Sequence, residues 1–543
     1  IVSYDWSADG KALLFPLAGD VYYFRLATAD SPAMVKRLLD TPEFETDIKL
    51  SPQGNYISFI RAQNLYVLNI ETGEEKAITR LGGGDIKFGM AEFVAQEEMS
   101  RLTGYWWSPD EQHLAFTRVD EAPVEVITRS EIYADSIKMI EQKYPLAGTD
   151  NVDVTLAVQN IATGQRDWID LGENKDIYLA RGKWANDNQH FTYQVQSRDQ
   201  KTLNLIAYNI TSKQNKTLIT ETADTWVNLH DAFDFLEDQK HFIWASERDG
   251  YKHLYLYNLN EGLVRQLTSG EWVVTSLDAV DEATGHIFFS GRKDTPLENH
   301  LYRVGLDDQT IIRVSKRDGF HQVNFSRNGE IYVDNFSTIN TPPQVSVHRA
   351  TGEQLTWLSE NAIDDNHPLA RFQQQWVEPT FGSISTKDDV DLYYRLYTPK
   401  QFEGRHPVIV FVYGGPGVKV VTNRWYGARG LMMQHWVNKG YVVFSIDNRG
   451  SKYRGKAFED PIYLNMGEIE VQDQVAGVEY LRTLPYVDAD RIGVHGHSYG
   501  GYMTIMSMFK VSDYFAAGVS GAPVTDWRLY DTHYPARSMG HPT

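Results

Sequence analysis

The sequence predicts a β-propeller followed by an open α/β sheet domain, and two textures along the chain support this. Up to about residue 365, short alternating runs rich in aromatic and β-branched residues are separated by polar turns. After about residue 366, nearly unbroken apolar runs alternate with segments of helical periodicity. The first texture is typical of antiparallel sheets, and the second of a parallel sheet buried on both faces.

A strand–turn–strand phrase recurs through the first part. It occurs as YDWSADGKALLF at Tyr4, IKLSPQGNYISFI at Ile48, YWWSPDEQHLAFT at Tyr105 and GKWANDNQHFTY at Gly182, with weaker forms at Phe233 and Leu277. A second hairpin phrase such as NLYVLNIETGEEKAIT often follows, which makes a four-stranded unit. Eight units would hold about 46 residues each, close to a usual blade length. We therefore expect an eight-bladed propeller over residues 1–365 with an incomplete N-terminal blade; a stack of β-sandwiches is the alternative.

One segment breaks this rhythm. Residues 121–151, which include SEIYADSIKMIEQKYPLAG, match neither hairpin phrase. They predict an excursion inserted into one blade.

The second part, residues 366–543, alternates strands and helices. HPVIVFVYGGPG, GYVVFSIDNRG and YFAAGVSGAP are expected strands. In EIEVQDQVAGVEYLRTL, the spacing places Val471, Val475 and Val478 on one face of a helix. This alternation predicts an open α/β sheet.

A serine motif defines the type of α/β domain. Gly496-His497-Ser498-Tyr499-Gly500 matches G-x-S-x-G and lies between a predicted buried strand and an apolar helix. In α/β-hydrolases this turn presents the nucleophilic serine at the helix N-terminus. The alternative is a glycine-rich turn that only packs against its helix. We predict an α/β-hydrolase domain with Ser498 as the nucleophile.

Composition excludes several classes of function. The net charge is −20, which argues against a nucleic-acid partner. The chain has no cysteine, so disulfides and thiolate chemistry are excluded. The sequence contains no run of about 18 or more apolar residues, so it shows no candidate membrane span. Neither H-E-x-x-H nor a dinucleotide fingerprint occurs, so no metal or other cofactor is expected.

Several motifs around Ser498 and upstream of it resemble those of one family. AEFVAQEEMSRLTGYWWSPD, VYGGPG, DNRGS, HGHSYGGYM and GAPVTDWRLYDTHYPARSMGHP are similar to the dipeptidyl peptidase IV group of the prolyl oligopeptidase family of serine peptidases. The resemblance covers nearly all of the chain and is specific after Ala91. It implies a bacterial member, a homodimer and a periplasmic location, with the cytoplasm as the alternative.

The resemblance also implies roles for individual residues. Glu97 and Glu98 of the QEE motif would bind the free ammonium of a peptide, although a bare Glu-Glu pair is usually a solvated surface feature. The Tyr413 hydroxyl and the Tyr499 amide would stabilise the oxyanion. The pocket for the residue before the cut bond would be apolar and aromatic, a slot that suits a proline ring, and consists of Val524, Trp527, Tyr530 and Tyr534.

The histidine and acid that should activate Ser498 have no evident place. In α/β-hydrolases they follow the serine, as Asp and then His, after later strands. The possible candidates fall in the pocket segment or beside the serine: Asp526, Asp531, His533, His541, His495 and His497. We therefore expect the hydrolase domain to lack its C-terminal strands and the triad partners to lie beyond Thr543.

The expected function is that of a serine exopeptidase. It would release N-terminal X-Pro or X-Ala dipeptides from oligopeptides with a free amino terminus by acyl-enzyme chemistry. A tripeptidyl peptidase, an acylaminoacyl peptidase or an oligopeptidase of the same family is a close alternative. An alternative of another class is a non-catalytic propeller scaffold with an inactive hydrolase domain.

Overall fold

The computed structural model describes residues 4–400 and 404–542. Contacts between residues divide the chain into two compact units. The first unit contains residues 1–229 and 528–543, and the second contains residues 230–527. No helix formed by the described residues is long and apolar enough to cross a membrane.

The first unit contains four antiparallel sheets of the meander type. Neighbouring strands follow one another along the chain in the first, second and fourth of them, whereas an insertion separates two neighbouring strands of the third. Their strands are β1 (Asp5–Trp6), β2 (Ala12–Leu17), β3 (Asp20–Arg25) and β4 (Met34–Leu39); β5 (Thr46–Leu50), β6 (Tyr56–Arg61), β7 (Asn64–Asn69) and β8 (Glu75–Ala77); β9 (Ile86–Phe88), β10 (Tyr105–Trp107), β11 (His113–Asp120), β14 (Asp153–Asn160) and β15 (Arg166–Ile169); and β16 (Ile177–Trp184), β17 (His190–Ser197), β18 (Thr202–Asn209) and β19 (Gln214–Thr222). The short helix α1 (Phe93–Glu97) lies between β9 and β10.

An inserted hairpin interrupts the third sheet. Strands β12 (Val126–Ile132) and β13 (Ile137–Lys143) pair only with each other and form a separate two-stranded sheet. They lie in the chain between β11 and β14, which are neighbours in the third sheet. The excursion predicted from the broken repeat is therefore this hairpin.

The repeated phrase has a structural reason. Its serine hydroxyl accepts a hydrogen bond from the backbone amide five residues later, from Ala12 to Ser7 at 2.8 Å and from Tyr56 to Ser51 at 2.9 Å. The same bond joins the amide of His113 to Ser108 at 2.9 Å. Each serine thereby closes the turn between the first two strands of its sheet, which is a usual role of serine in turns.

The second unit continues the series with three more four-stranded meanders. Their strands are β20 (Phe233–Phe235), β21 (His241–Ser246), β22 (His253–Asn258) and β23 (Gly262–Gln266); β24 (Val274–Asp281), β25 (His286–Gly291), β26 (His300–Gly305) and β27 (Ile312–Arg313); and β28 (Phe320–Phe325), β29 (Ile331–Ser337), β30 (Gln344–Arg349) and β31 (Gln354–Ser359).

The described residues form seven blades of the β-propeller type, so the expectation of eight was wrong. The inserted hairpin and the segment around α1 lengthen the third blade, and the loops between strands vary in length. An estimate from the number of residues and a typical blade length therefore gave too many blades. The phrase FSRNGEIY, whose Ser326 hydroxyl accepts from the Ile331 amide at 3.2 Å, marks the seventh blade. The expected incompleteness of the first blade also concerns residues 1–3, which lie outside the described residues.

A six-stranded mixed sheet follows in the second unit, in the order β32-β33-β35-β34-β36-β37. Its strands are β32 (Thr380–Ser385), β33 (Asp391–Tyr397), β34 (His406–Phe411), β35 (Val442–Ile446), β36 (Val487–His497) and β37 (Ala517–Gly521). The remaining helices are α2 (Gly427–Asn438), α3 (Lys456–Glu459), α4 (Ile469–Thr483), α5 (Tyr499–Lys510) and α6 (His533–Met539), with short 3-10 helices at Ala370–Gln375, Asp460–Ile462, Ser512–Tyr514 and Trp527–Leu529.

Strands β34 to β37 are parallel, as their apolar sequences predicted. Strands β32 and β33 add an antiparallel edge, which the sequences TFGSIS and DLYYRLY did not reveal because neither is an unbroken apolar run. Helix α2 packs Met433 and Val437 against this sheet, in a core that includes Phe411 and Val443. Because β34 and β36 are neighbours and parallel, the residues that follow them meet at one edge of the sheet.

The change from meanders to the mixed sheet falls between Ser359 and Thr380. The boundary expected at residues 365/366 stays a prediction, since the compact units follow a different division. They group the last three meanders with the mixed sheet, and residues 528–543 with the first four meanders.

Candidate active site

Ser498 occupies a strained turn between a strand and a helix. It follows the last residue of β36 and precedes the first residue of α5, with φ 59° and ψ −121°. Its backbone amide donates a hydrogen bond to the Gly521 carbonyl at 2.9 Å. A residue other than glycine at positive φ is strained by about 1–3 kcal/mol and is concentrated at functional sites. This is the backbone geometry of the nucleophile elbow of α/β-hydrolases.

Both glycines of the motif are needed for close backbone contacts. A Cβ atom at position 496 would lie 2.2 Å from the Gly500 carbonyl oxygen. At position 500 it would lie 2.3 Å from the carbonyl oxygen of Val412. The turn therefore accepts only glycine on both sides of Ser498 without a backbone shift, and this separates it from an ordinary glycine-rich turn.

Tyr413 and Tyr499 lie together beside this turn. Tyr413 follows β34 by one intervening residue, and its ring centroid is 6.1 Å from that of Tyr499. A Cβ atom at Gly415 would lie 2.6 Å from Tyr499 Cγ and 2.9 Å from Tyr413 Cε1, so glycine at 415 allows this approach. The Tyr499 amide is at the first position of α5, where the helix dipole favours negative charge. The structure thus brings Ser498 and both predicted oxyanion donors to one edge of the sheet.

The Tyr499 side chain is held by a buried carboxyl group. Its hydroxyl donates to Glu470 Oε1 at 2.5 Å, and the two carboxyl oxygens of Glu470 also accept from the Gly467 amide at 3.0 and 2.9 Å. Burial raises the pKa of Glu470. Sequence reasoning missed Glu470; the signal was a polar stripe of Glu470, Asp473 and Gln474, whose i, i+3, i+4 spacing puts all three on one face of α4.

Trp527, one of the predicted pocket residues, packs against two tyrosines of α5, the helix that begins directly after Ser498. Its ring lies 5.7 Å from the Tyr499 ring and 5.3 Å from the Tyr502 ring, the latter edge to face. Val524 is half-buried in the segment after β37. These contacts make an aromatic corner beside the nucleophile elbow.

The other predicted binding residues belong to the first compact unit. The rings of Tyr530 and Tyr534 contact each other there, with centroids 5.2 Å apart. Glu97 is the last residue of α1 and is exposed, and Glu98 caps that helix and is half-buried.

A buried ion pair joins Glu92, which precedes α1, to Arg101, which follows that helix. Arg101 Nη2 lies 2.6 Å from Glu92 Oε2, and both side chains are almost fully buried. The Arg101 guanidinium also donates to the Leu179 carbonyl at 3.1 Å and to the Thr103 carbonyl at 2.8 Å. These bonds fix both ends of the segment that carries Glu97 and Glu98.

Asp531 is a third carboxyl group beside the glutamates. It is buried, and its Oδ1 accepts from the amides of His533 at 2.8 Å and Tyr534 at 3.1 Å. Burial, and then the charge of Asp531, raise the pKa of Glu98 to about 8. Burial and the same carboxylates raise the pKa values of Tyr144 and Tyr530. Such a cluster favours a bound cation, because a positive charge would let its carboxyl groups ionise together.

His533 has a structural environment. It is fully buried, its Nδ1 accepts from Arg537 Nη2 at 3.2 Å, and its Nε2 faces Gln196 Oε1 at 3.4 Å. Burial, and then Arg537, hold the pKa of His533 well below its usual range. His533 and Asp531 therefore serve the first unit, whereas Ser498 lies in the second.

The remaining triad candidates do not bond to Ser498. His495 lies within β36 and its Nδ1 is 3.1 Å from the Val519 carbonyl oxygen, as expected of a strand residue. His497 and His541 are exposed, and Asp526 is half-buried. Among the described residues of the second unit, none forms a side-chain hydrogen bond to the Ser498 hydroxyl. The positions of the triad acid and histidine stay a prediction.

Two models of known protein families match long stretches of the chain. The family model described as "Dipeptidyl peptidase IV (DPP IV) N-terminal region" matches residues 5–343, and that of the prolyl oligopeptidase family matches residues 428–543. This chain belongs to the dipeptidyl peptidase IV group of the prolyl oligopeptidase family. It is thus related to serine peptidases, and the expectation drawn from the quoted motifs is confirmed.

Individual relatives agree with this assignment. Dipeptidyl peptidase 8 of Mus musculus is 30% identical, over 100% of this chain and 71% of that protein. The crystal structure of Porphyromonas gingivalis dipeptidyl peptidase 4 has a TM-score of 0.90 at 28% identity, over 99% of this chain and 77% of that one. A putative dipeptidyl aminopeptidase IV from Bacteroides ovatus has a TM-score of 0.86 at 30% identity, over 98% and 76%.

Proposed function

We propose that this dipeptidyl peptidase IV group member releases X-Pro or X-Ala dipeptides from peptides with a free amino terminus, with Ser498 as the nucleophile. The observation that carries the proposal is the carboxyl cluster of Glu97, Glu98 and Asp531, in which the pKa of Glu98 is raised to about 8. A protonated peptide amine would relieve the repulsion within that cluster, whereas an acylated amine would not. The cluster therefore favours a dipeptidyl peptidase over an acylaminoacyl peptidase.

The chemistry proposed at Ser498 is acyl transfer. Its Oγ forms a bond to the scissile carbonyl carbon and loses its proton to a general base. The Tyr413 hydroxyl and the Tyr499 amide donate to the oxygen that becomes negative. The C–N bond then breaks, the amine leaves with a proton, and water hydrolyses the ester to release the dipeptide and restore Ser498.

Preference for proline or alanine before the cut bond is proposed from the aromatic corner. Trp527, Tyr499 and Tyr502 present flat apolar surfaces to a small residue. A proline ring has no N–H group to satisfy and fits such a surface without a polar partner. Val524 is proposed to complete this pocket on the basis of the motif match, and Tyr530 and Tyr534 stay predicted pocket residues.

The deciding experiment compares two substrates on the full-length protein. Gly-Pro-anilide should be cleaved, and its N-acetyl form should be cleaved at least about 100-fold more slowly, since it lacks the cation. Glu98→Gln and Glu97→Ala should reduce this discrimination. Equal rates on the two substrates would contradict the ammonium site. The mass of the released product separates dipeptidyl from tripeptidyl or oligopeptidase activity.

The scaffold alternative is tested by labelling. A fluorophosphonate probe should label the wild-type protein at Ser498 and leave Ser498→Ala unlabelled, because the probe reacts only with an activated serine. A wild-type protein that stays unlabelled would support the non-catalytic scaffold instead.

A homodimer forms part of the proposal. The hairpin β12–β13 exposes Ile132, Ile137 and Met139, which are 79%, 65% and 65% exposed, and a second copy would bury this apolar surface. Replacement of the three by serine should convert a dimer into a monomer in sedimentation experiments. The periplasmic location and the bacterial origin stay predictions.

A further inference from the structure

The loop that carries Tyr413 has an unusual backbone. It runs from Tyr413 to Val421 after β34, and Gly414 and Gly417 adopt positive φ angles of 77° and 75°. One weak internal hydrogen bond, from the Val418 amide to the Gly415 carbonyl at 3.4 Å, lies within it. Its shape is held from outside by Asp447, Asn448 and Gly450 of the DNRGS motif, which follows β35. The Gly450 carbonyl accepts from the Gly417 amide at 3.3 Å.

Asp447 fixes the far end of this loop. Its carboxylate accepts from the amides of Val420 at 2.8 Å and Val421 at 3.2 Å, and from Lys419 Nζ at 2.7 Å. The Lys419 and Asp447 side chains are both almost fully buried. A buried charge pair with these extra hydrogen bonds holds its loop in one geometry.

Asn448 fixes the near end, next to Tyr413. Its Nδ2 donates to the Gly414 carbonyl at 2.9 Å and to the Arg449 carbonyl at 2.7 Å. Its Oδ1 accepts from Gln474 Nε2 at 2.9 Å, and Asn448 is fully buried. Because both N–H groups and the oxygen are used, the amide has one orientation, and it holds the Gly414–Gly415 peptide group, which begins one residue after Tyr413.

Arg449 ties the same motif to helix α4. Its backbone amide donates to Asp473 Oδ2 at 2.8 Å, and its Nη2 donates to Asp473 Oδ1 at 2.6 Å. Gln474, the next residue of α4, is the group that orients Asn448. The anchor for the Tyr413 loop is therefore connected to the helix that also carries Glu470, the partner of the Tyr499 hydroxyl.

We propose that Asn448 is a positioning residue that holds the Gly414–Gly415 peptide, next to Tyr413, so that the Tyr413 hydroxyl faces the oxyanion. This inference rests on the proposed acyl-transfer function of Ser498. Asn448 itself contacts neither substrate nor the reacting atoms. Its effect passes through Tyr413, so removing Asn448 should matter only while Tyr413 has a hydroxyl to position.

The test is a double-mutant cycle between Asn448→Asp and Tyr413→Phe in the full-length protein. Asn448→Asp replaces the donor to Gly414 with an acceptor, so that carbonyl loses its partner and is repelled. Loss of one oxyanion donor lowers kcat by about 10²-fold or more, and each single variant should approach this loss. In the Tyr413→Phe background, Asn448→Asp should lower kcat less than about 3-fold further.

The substrate for this cycle is p-nitrophenyl acetate, with fluorophosphonate labelling in parallel. Neither probe has a peptide amine, so both report on acyl transfer at Ser498 without the Glu97–Glu98 site. A wild-type protein inert to both would overturn the proposed function and this inference with it. An active wild type with additive losses in the cycle would overturn the positioning role alone.

Gln434→Glu is the matched control. Gln434 is also a buried amide whose Nε2 donates to a backbone carbonyl, that of Val377, at 2.7 Å. It lies on α2, so the same change from amide to acid should lower Tm without changing kcat. If Asn448→Asp does not fold, Asn448→Ala removes the donor without adding charge and should show the same non-additivity; additive losses there would equally overturn the role.

Discussion

The hydroxyl of Tyr499 donates a hydrogen bond to Glu470 at 2.5 Å, so the residue that follows the nucleophile is held at both ends. Its backbone begins helix α5, and its ring packs against Trp527 and Tyr413. One residue thereby links the proposed oxyanion site to the proposed pocket. The buried carboxyl of Glu470 is the anchor of that link.

Glu470→Ala should destabilise the protein and weaken the pocket. It leaves the Tyr499 hydroxyl and the Gly467 amide buried without an acceptor, which costs about 1–3 kcal/mol for each group. KM for Gly-Pro-anilide should rise about 10-fold, while Glu470→Gln, which keeps an acceptor, should stay closer to wild type. In a Tyr499→Phe background, Glu470→Ala should change KM little; an equal change in both backgrounds would refute the link. Unfolding in urea and initial rates measure these effects.

The strain at Ser498 predicts that stability and activity oppose each other. At φ 59°, glycine avoids the clash of a Cβ atom, so Ser498→Gly should be more stable than Ser498→Ala by about 1 kcal/mol. Both variants should be inactive. The control is Ser507, inside α5, where glycine should instead be about 1 kcal/mol less stable than alanine. Thermal unfolding of the four variants decides the matter, and a less stable Ser498→Gly would show that the turn is unstrained.

The raised pKa of Glu98 predicts that peptide binding depends on pH. Burial raises that pKa from 4.5 to about 8, so the free carboxyl loses its proton as the pH rises through about 8. A bound ammonium favours the ionised form, so KM should fall as the pH rises from about 6 to 8 and binding should release a proton. Calorimetry of Ser498→Ala with a Gly-Pro peptide in two buffers measures that release.

Glu98→Gln is the control for this titration and should abolish the proton release. The same shift has a consequence for stability: because the folded state holds the proton more tightly than the unfolded chain, the free energy of unfolding should decrease as the pH rises from 4.5 to about 8. Proton uptake on binding would contradict the assignment.

The Arg101–Glu92 ion pair should be essential for the stability of the segment that carries Glu97 and Glu98. Arg101→Met leaves the Glu92 carboxylate buried without its partner, so the free energy of unfolding should fall by about 3–5 kcal/mol. KM for unblocked peptides should rise, since Glu97 and Glu98 lie between the two residues. The exposed Arg349–Glu353 pair provides the comparison, and Arg349→Met should cost less than about 0.5 kcal/mol. If Arg101→Met and Arg349→Met lower the free energy of unfolding in urea by similar amounts, burial does not make the Arg101–Glu92 pair stronger.

Much of the architecture was predictable because it depends on local patterns. The repeated serine turn identified the meanders, since each serine bonds an amide only five residues away. Apolar runs identified β34 to β37 as parallel strands, and G-x-S-x-G located Ser498. The number of blades was not predictable from length, because insertions such as β12–β13 are free to vary where a chain leaves and re-enters a sheet.

The sequence by itself determined which residues had the chemistry: a serine between glycines, a pair of glutamates and an aromatic segment after β37. Only the tertiary structure decided what surrounds them. Asp531 is far along the chain from Glu98, yet its charge raises the pKa of Glu98, and Glu470 and Asn448 reach Tyr499 and the Tyr413 loop from another helix and strand. Burial and long-range hydrogen bonds set these relationships, and neither follows from the spacing of residues along one segment.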